Sequence, residues 1–353
     1  MPNSHKFYQE LSPLLLDDAG AYFVVDGQFG STGKGLISAA LGQHFGDRPN
    51  VVTNNAGPNS GHTHYDRPGN PVVLKQLPSF AATAREHWSP GPTPTTYLNA
   101  GAIINPDKLR DDIKQTGVYP IIHPHAALID PESFEEDEDT TQRIASTGQG
   151  VGPALSAKVS RRREAVAESM PTSRLWWRES IPFMKGDRIM VEVAQGYSLG
   201  INSGFYPYCT SRECSVQQAM SDARIPVSMF RECILSVRTY PIRVGNTTGS
   251  SGPCYDDQQE ISWDDIGVEP EYTTVTGRKR RVFTWSNSQF AQSVLNNDAG
   301  IIFINFMNYL PVERRTKFLS ENIMDVYKRT MGCYPKAVIG GFGPHFGDLE
   351  MIA

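Results

Sequence analysis

An apolar segment that runs directly into a glycine-rich loop constrains this chain more than any other feature. Residues Ala21 to Val25 are apolar or aromatic, as in a buried strand, and the loop Asp26 to Gly35 follows with the sequence DGQFGSTGKG. Leu36 to Phe45 then has the pattern of a helix. A strand, a glycine loop and a helix in this order open an α/β fold that binds nucleotides.

The loop has the groups that bind a phosphate. Its glycines let backbone N–H groups approach phosphate oxygens, the helix that follows adds its positive N-terminal end, and Lys34 supplies a point charge. A standard Walker A motif would have glycine in place of Gln28 and serine or threonine in place of Gly35. An ordinary tight turn is the alternative, but a lysine among four glycines favours phosphate binding.

Further strands and helices alternate along the chain, which predicts an α/β fold with a mainly parallel central sheet flanked by helices. The later strand candidates are residues 51–54, 97–104, 121–122, 188–193, 234–240, 300–304 and 337–339, and residues 105–116 are a helix candidate. We expect residues 1–20 to be a peripheral N-terminal segment and residues 21–353 to form a single catalytic domain with inserted loops. Residues 246–258 predict an irregular surface loop.

Composition and charge argue against several classes of function. The net charge of −5 gives no basic surface for nucleic acid, so local groups must hold anionic substrates. No apolar run is long enough to cross a bilayer, and the N-terminus lacks the pattern of a signal peptide. The five cysteines include no CxxC pair, which favours a reducing cytoplasm over zinc or disulfides. We interpret the acidic run 132–139, His123 and His125 as structural rather than metal-binding.

Five more polar segments carry candidate site residues. Residues 54–63 include His62, a candidate electrophile for a transferring phosphoryl group, although a lone histidine of this kind is more often structural. The other segments are residues 146–153, with three arginines at 161–163, and residues 194–196, 206–211 and 273–281. In the last of these, arginines after a Thr/Gly turn suit bidentate binding of carboxylates, but such a run is often only a solvated surface.

Taken in order, these segments resemble the adenylosuccinate synthetase family. The family carries GQWGDEGKGK, NAGHT, TTGRGIGP followed by two arginines, GAQG, YPYVTS, TTGRRRR and TGP. This chain has GQFGSTGKGL, NSGHT, STGQGVGPALSAKVSRR, VAQG, YPYCTS, VTGRKRR and FGP. The resemblance covers residues 21 to 346 and implies the P-loop-NTPase-like fold of the family, in a chain shorter than its usual member.

The resemblance implies a ligase that works in two steps. The 6-oxygen of a purine nucleotide attacks the γ-phosphate of a nucleoside triphosphate, and the amino group of aspartate then displaces phosphate from C6. It implies Ser31, Lys34 and His62 as catalytic residues. It also implies Mg²⁺ as cofactor, with Ser31 and the backbone carbonyl of Gly61 as ligands.

The same resemblance implies three sets of binding residues and a homodimer. The triphosphate is expected at Gly30, Ser31, Thr32, Gly33, Lys34, Gly35, Gly61, His62, Thr63, Asn305, Asn308, Gly343 and Pro344. The acceptor nucleotide is expected at Ser31, Asn59, Thr147, Gln195 and Thr210, and at Arg161 from the dimer partner. Aspartate is expected at Thr274, Val275, Thr276, Gly277, Arg278 and Arg280.

Ser31 departs from the family, which has an aspartate there that takes the N1 proton of inosine monophosphate. A serine hydroxyl can ligate magnesium, but it is a poor general base at neutral pH. Serine also leaves space beside N1 for the 2-amino group of guanine, so we expect a guanine nucleotide as acceptor, or else an impaired enzyme. GSTGKG resembles a phage-type branch that converts dGMP into N6-succino-2-amino-2′-deoxyadenylate for 2-aminoadenine DNA, and the deoxyribose preference rests on that resemblance alone.

A second departure lies in residues 304–308. The family has a Lys-x-Asp there, and its aspartate binds the guanine of GTP. The counterpart in this chain is Asn308, unless the alignment slips by one residue. An amide offers both an acceptor and donors, which suits an adenine edge and predicts ATP or dATP as phosphoryl donor. The alternative is that Asn308 only caps a turn.

Other functions remain open at this point. One is an ordinary adenylosuccinate synthetase that uses IMP and GTP, another is a catalytically inactive nucleotide-binding regulator, and a third is a nucleotide kinase. Intact Lys34, His62 and Gln195 argue against the regulator. The leading hypothesis has ATP or dATP, dGMP and L-aspartate as small-molecule substrates, no nucleic acid or membrane partner, and a cytoplasmic location, in the host if a phage encodes the protein.

Overall fold

A large, mostly parallel sheet forms the centre of the protein in the computed structural model, which describes residues 2–66, 69–170, 176–177, 182–273 and 276–353. The strands are β1 (Gly20–Asp26), β2 (Val51–Asn54), β3 (His62–Tyr65), β4 (Pro71–Leu74), β5 (Thr95–Leu98), β6 (Ile103–Ile104), β7 (Ile121–Ile122), β8 (Ala127–Leu128), β9 (Trp176–Trp177), β10 (Arg188–Glu192), β11 (Phe230–Arg238), β12 (Ile242–Arg243), β13 (Glu260–Ile261), β14 (Arg281–Phe283), β15 (Ile301–Asn305), β16 (Ala337–Gly341) and β17 (Leu349–Met351).

Helices of 4 to 12 residues connect and cover these strands. They are α1 (Pro2–Leu11), α2 (Lys34–Phe45), α3 (Ser79–Trp88), α4 (Pro106–Thr116), α5 (Glu132–Glu136), α6 (Glu138–Ile144), α7 (Val151–Val159), α8 (Val216–Ala223), α9 (Trp263–Ile266), α10 (Asn287–Asn297), α11 (Val312–Phe318) and α12 (Asp325–Met331). A π-helical turn, Leu319–Met324, joins α11 to α12. Among the described residues, none of these helices combines the length and apolar character needed to span a bilayer.

The order of strands in the sheet is β17-β16-β15-β11-β1-β10-β2-β5-β7-β9. All neighbouring pairs are parallel except β16 with β17, as expected for strands separated by helices. The carboxyl ends of β1, β10, β11 and β15 therefore lie side by side at one edge of the sheet. Ligands of open α/β sheets bind in the crevice beyond this edge.

Apolar side chains alternate across the sheet and build a core on each face. Along β1, Tyr22 and Val24 belong to one core, while Phe23 and Val25 belong to the other. Helices α1, α2 and α3 cover the first face, and α8, α10 and α12 cover the second. Because β1 packs against a core on each face, the strand and the start of the glycine loop are held at the centre of the sheet.

Three expectations from the sequence need correction. Residues 1–20 are not peripheral in their packing, because Phe7, Leu11, Leu15 and Leu16 are buried in the first core; the division into one lead-in and one catalytic domain stays a prediction. The expected strand 97–104 is two strands, β5 and β6, since a turn interrupts it.

The segment 246–258 lacks helix and strand, as expected, but it is only partly a surface loop. Ser251, Gly252 and Gln258 are buried, and the guanidinium of Arg243 donates hydrogen bonds to the carbonyls of Ser251 and Pro253. Buried backbone carbonyls need such donors, so the loop is held in place by a cation beneath it.

Candidate active site

The glycine loop is folded around the carboxylate of Asp26, the last residue of β1. One oxygen, Oδ1, accepts hydrogen bonds from the N–H groups of Gln28 (2.9 Å) and Gly30 (3.2 Å). The other, Oδ2, accepts from the N–H (3.2 Å) and the hydroxyl (2.7 Å) of Thr32 and lies 3.5 Å from Nζ of Lys34. Because Asp26 is fully buried, these donors replace its hydration and fix the shape of the loop.

The remaining N–H groups of the loop are free to bind a ligand. Among the described residues, those of Ser31, Gly33, Lys34 and Gly35 donate to no protein acceptor. Gly33 has φ 96°, a left-handed conformation, and a β-carbon there would lie 2.0 Å from the amide nitrogen of Asn305, so glycine is required on both counts. Free N–H groups at the start of a helix, beside a lysine, form a phosphate-binding site.

Two cavities meet at this loop. The first, which we call the donor cavity, has a volume of about 380 Å³ and contains most of the residues expected for the triphosphate: Ser31, Thr32, Gly33, Lys34, Gly35, Gly61, His62, Thr63, Asn305, Asn308, Gly343 and Pro344. The second, the acceptor cavity, has a volume of about 200 Å³ and contains Ser31, Asn59, Thr147, Gln195 and Thr210. Gly30, expected with the triphosphate, lines the acceptor cavity instead.

Five residues line both cavities and form the boundary between them. They are Ser31, Lys34, Gly61, His62 and Arg280. A phosphoryl group that moves from a donor in one cavity to an acceptor in the other has to pass this boundary. The three residues expected to be catalytic all belong to it, which is the geometry that phosphoryl transfer requires.

His62 is held from behind by a carboxylate. Its Nδ1 lies 3.6 Å from Oε2 of Glu192, the last residue of β10, and both side chains are buried. Glu192 also accepts hydrogen bonds from the N–H groups of Ser79 (3.1 Å) and Phe80 (2.8 Å) at the start of α3. These contacts orient the ring so that Nε2 is the nitrogen available to a ligand.

In the acceptor cavity, Gln195 links two of the expected binding segments. Its Nε2 donates a hydrogen bond to Oδ1 of Asn59 at 2.9 Å, and its backbone carbonyl accepts one from Lys34. Gln195 has a left-handed backbone, φ 65°, which is uncommon for a residue other than glycine. Gln195 therefore contacts Lys34 at the boundary between the cavities and Asn59 within the acceptor cavity.

A buried cation that the sequence analysis did not select lies next to the donor cavity. Arg238 is fully buried, its Nη1 donates to the carbonyl of Ser31 (3.2 Å) and to Glu271 (3.1 Å), and its Nη2 donates to the other oxygen of Glu271. Its guanidinium lies 3.9 Å from the ring centre of Phe306, which lines the same cavity. Although burial raises the pKa of Glu271, Arg238 outweighs this and holds that pKa below its usual value.

The residues expected to bind aspartate are only partly gathered at the cavities. Arg280 lines both; burial lowers the pKa of Arg280 to about 10 and Glu271 opposes that shift, so the guanidinium stays charged at neutral pH. Arg278 donates to the carbonyls of Ser146 (2.8 Å) and Gly245 (3.2 Å), and with Thr276 and Gly277 it lines neither cavity. Thr274 and Val275 lie outside the described residues.

Arg161 lines neither cavity of its own chain. It is exposed, just beyond the end of α7, and has a left-handed backbone with φ 60°. Its expected contact with the acceptor nucleotide was placed across a dimer interface, so the geometry of one chain leaves that expectation as a prediction.

Sequence reasoning missed Asp26, Glu192, Arg238 and Glu271. Each is a charged residue in or next to an apolar strand or beside an arginine run. A charge at the end of a buried strand is costly unless it is paired, and that signal could have marked Asp26, Glu192 and Arg238. Glu271 has no such signal, because its partner lies 33 residues away in the chain.

His123 and His125 stay apart from this site. Burial, the first cause, and the neighbouring His125 lower the pKa of His123 to about 4, and its Nδ1 accepts the N–H of His125 at 2.9 Å. Among the described residues, no group of three His, Cys, Asp or Glu side chains converges as a metal site.

The parallel sheet, the free N–H groups beside Lys34 and the two adjoining cavities define an enzyme that brings two nucleotides together. A family model of adenylosuccinate synthetase matches residues 23–180 and 178–305, and the chain belongs to this family. It is therefore a carbon–nitrogen ligase that uses purine nucleotides.

Within the family, the chain is similar to phage enzymes. It is 36% identical to the N6-succino-2-amino-2′-deoxyadenylate synthase of Salmonella phage PMBT28, over 94% of this chain and 97% of the relative. It is 34% identical to the enzyme of the same name from Vibrio phage phiVC8, over 93% and 97% of the two chains.

Solved structures give the same result. The succinoaminodeoxyadenylate synthetase of cyanophage S-2L, bound to dGMP and to dATP as an energy donor, matches with a TM-score of 0.82 and 31% identity over 95% of each chain. The adenylosuccinate synthetase of Plasmodium falciparum matches with a TM-score of 0.72 and 17% identity, over 94% of this chain and 99% of that one, which shows the shared fold.

Proposed function

We propose that this protein condenses L-aspartate with dGMP, with ATP or dATP as phosphoryl donor, to give N6-succino-2-amino-2′-deoxyadenylate, the nucleoside diphosphate and phosphate. The observation that carries the proposal is Ser31, which stands where the family has an aspartate and lines both cavities. The phage relatives named for this product, and the dGMP and dATP bound to the cyanophage enzyme, support the choice of substrates.

In the first step, the 6-oxygen of guanine attacks the γ-phosphorus, the bond to the β-phosphate oxygen breaks, and the N1 proton leaves the base. Lys34 and the free N–H groups of Gly33 and Gly35 bind the β- and γ-phosphates. His62, fixed by Glu192, donates to the equatorial oxygens of the transferring group. The Ser31 hydroxyl passes the N1 proton to water rather than keeping it.

Magnesium fits the oxygen groups at the boundary. Mg²⁺ prefers hard oxygen ligands and is held mainly by substrate phosphates with one or two protein groups. Among the described residues, neither the hydroxyl of Ser31 nor the carbonyl of Gly61 has a hydrogen-bond partner, so both have free lone pairs. When bound, the ion would neutralise charge on the β- and γ-phosphates, with Ser31 and Gly61 as its protein ligands.

In the second step, the amino group of aspartate attacks C6 and the 6-phosphate leaves as inorganic phosphate. Arg280 is the cation at the boundary of both cavities, and a guanidinium binds a carboxylate with two parallel hydrogen bonds. Arg278 would complete the dicarboxylate site by giving up its contact to the carbonyl of Ser146.

Asn308 is the basis for proposing ATP or dATP as the phosphoryl donor. Its side chain lines the donor cavity, is exposed, and makes no hydrogen bond to any other described residue, so its amide is free to pair with a base edge. Asn305 is not free in this way, since its side chain packs against Gly33 and accepts the N–H of Phe306 at 2.9 Å. This difference favours Asn308 over Asn305 as the residue that reads the donor base.

The experiment that tests the proposal is mass analysis of products from the purified protein with ATP, magnesium and dGMP, with and without L-aspartate. We expect the succino-adduct and ADP only when aspartate is present. ADP formed equally without aspartate would identify a kinase. No turnover in either reaction, with nucleotide binding intact, would identify a regulator.

A further inference from the structure

The loop 146–153 differs from the family pattern at residue 149, which lies outside the two cavities. The family motif TTGRGIGP has an arginine where this chain has Gln149. A neutral amide therefore replaces a cation two residues after Thr147, one of the residues expected to bind the acceptor phosphate.

A lysine from another element reaches this glutamine. Lys108 lies in the first turn of α4, which Asn105 caps by accepting the N–H groups of Asp107 and Lys108. Its Nζ donates to Oε1 of Gln149 and to the carbonyl of Pro58 at 3.3 Å. The cap fixes the start of the helix, and the two hydrogen bonds of Nζ hold the ammonium group between the loops.

These contacts join the two loops that carry the expected acceptor-phosphate residues. Pro58 directly precedes Asn59, and Nε2 of Gln149 donates to the carbonyls of Thr147 (3.1 Å) and Gly148 (3.3 Å). Asn59 and Thr147 both line the acceptor cavity. One ammonium group therefore holds both sides of the proposed phosphate site.

The charge of Lys108 is not neutralised by the protein. Among the described residues, no carboxylate lies within ion-pair distance of its Nζ, which bonds only to neutral oxygens. The side chain is half-buried, so solvent screens it less than an exposed lysine. Lys114, on the same helix, is 71% exposed and pairs with Asp111 at 3.8 Å.

We infer that Lys108 is a positioning residue for the acceptor nucleotide, because its ammonium group joins the loops that carry Asn59 and Thr147 and places a positive charge behind them. The inference rests on the proposed function in taking a nucleoside monophosphate as the ligand of the acceptor cavity. It predicts that removal of the charge weakens binding of the acceptor phosphate and leaves the donor site unchanged.

The test uses three variants of the full-length protein, Lys108→Met, Lys108→Met/Gln149→Arg and the control Lys114→Met. The Kd of dGMP is measured by calorimetry, and KM is measured for dGMP, ATP and aspartate. We expect Lys108→Met to raise the Kd and KM of dGMP roughly tenfold, the size of a lost contact to a charged group. The KM of ATP should not change, and Lys114→Met should behave as wild type.

The double variant separates positioning from damage to the fold. Arginine at 149 returns a cation to the loop, so Lys108→Met/Gln149→Arg should recover most of the lost dGMP affinity. Unchanged dGMP affinity in Lys108→Met, or an equal rise in KM for all three substrates without recovery in the double variant, would overturn the inference. If the wild type binds dGMP but forms no succino-adduct, the proposed function fails, and the binding data still decide the role of Lys108.

Discussion

Residue 31 combines a constrained backbone with an unconstrained side chain. Its φ of 59° is left-handed, and its carbonyl accepts a hydrogen bond from Arg238 at 3.2 Å. Its hydroxyl has no partner among the described residues. Because the fold depends on the backbone of Ser31 and not on its hydroxyl, changes of its side chain should affect chemistry more than folding. An aspartate at position 31 should also be compatible with the fold, because aspartate adopts the left-handed backbone conformation more readily than most residues.

Ser31→Ala and Ser31→Asp should therefore separate two roles. The alanine variant loses a magnesium ligand and the path for the N1 proton, so kcat with dGMP should fall by roughly a factor of one hundred. The aspartate variant puts charge and bulk beside the 2-amino group, so its kcat/KM should fall for dGMP and rise for IMP. Steady-state kinetics with both acceptors measures this. Full activity of Ser31→Ala with dGMP would contradict the role of the hydroxyl.

Asn308→Asp should shift the donor preference from ATP toward GTP. A carboxylate offers only acceptors, which match the N1 and N2 donors of guanine and repel the adenine edge. We expect the ratio of kcat/KM for ATP to that for GTP to fall roughly tenfold, the size of one matched hydrogen bond to a charged group. Asn308→Ala serves as the control, since it should weaken both donors without preference. An unchanged ratio in Asn308→Asp would remove Asn308 from base recognition.

Single residues were predictable where they stand in a motif with its own chemistry. Lys34 and His62 could be selected because a lysine among glycines and a histidine in a small polar loop are unusual. Glu271 could not, since its importance comes from a contact with Arg238, 33 residues away in the chain, that only the fold creates. Arg278 lies in an equally strong motif but is bonded to backbone carbonyls outside the two cavities, so its role in aspartate binding stays a prediction.

At the scale of elements, the glycine loop is organised by a carboxylate at its base. The five contacts of Asp26 turn the N–H groups of Gln28, Gly30 and Thr32 inward, and those of Gly33 and Gly35 remain for phosphate. Some N–H groups of the loop therefore bind the Asp26 carboxylate, and the others are left to bind the phosphate of a ligand.

Asp26→Asn tests this division. The amide would place an N–H₂ group against N–H donors and remove the anion beside Lys34, so we expect a loss of about 2 kcal/mol in the free energy of unfolding. The KM of ATP should rise more than that of dGMP, because the loop binds the triphosphate. Denaturant unfolding and kinetics measure both. Asp111→Asn, at an exposed position on α4, is the control. Equal stability and unchanged KM of ATP in Asp26→Asn would rule out this role.

The elements themselves were largely predictable from the sequence, because each buried parallel strand is a short apolar run between helical patterns. The strand at 51–54 was predicted with its correct bounds. The N-terminal segment was misjudged, since the spacing of Phe7, Leu11 and Leu15 shows one apolar face but not what that face covers. The turn between β5 and β6 was missed although Asn99 and Gly101, which form it, interrupt an otherwise apolar run and could have marked it.

For the whole molecule, the resemblance to the family predicts that one arginine of the acceptor site, Arg161, comes from a partner subunit. Thr147, Thr210 and Asn59 line the acceptor cavity, whereas Arg161 is exposed and lines neither cavity of its own chain. A symmetric dimer would bring the Arg161 of each subunit to the site of the other.

Mixing two inactive variants tests the dimer. Arg161→Leu and His62→Ala each damage a different half of a composite site, so hybrid dimers should contain one intact site. Random exchange of subunits then predicts roughly a quarter of wild-type activity in the mixture. The control mixture, His62→Ala with Lys34→Ala, should stay inactive because both residues belong to the same half. A mixture of the first pair no more active than its components would place Arg161 outside the site of the partner.

Competition between two acceptors is the sharpest test of the role proposed for Ser31. The purified protein is given ATP, magnesium, labelled aspartate and equal concentrations of dGMP and IMP, and the labelled products are resolved by mass. With Ser31 at the boundary of the two cavities, we predict that nearly all the label appears in the dGMP adduct. A mixture dominated by adenylosuccinate would show that serine in place of the family aspartate does not select guanine.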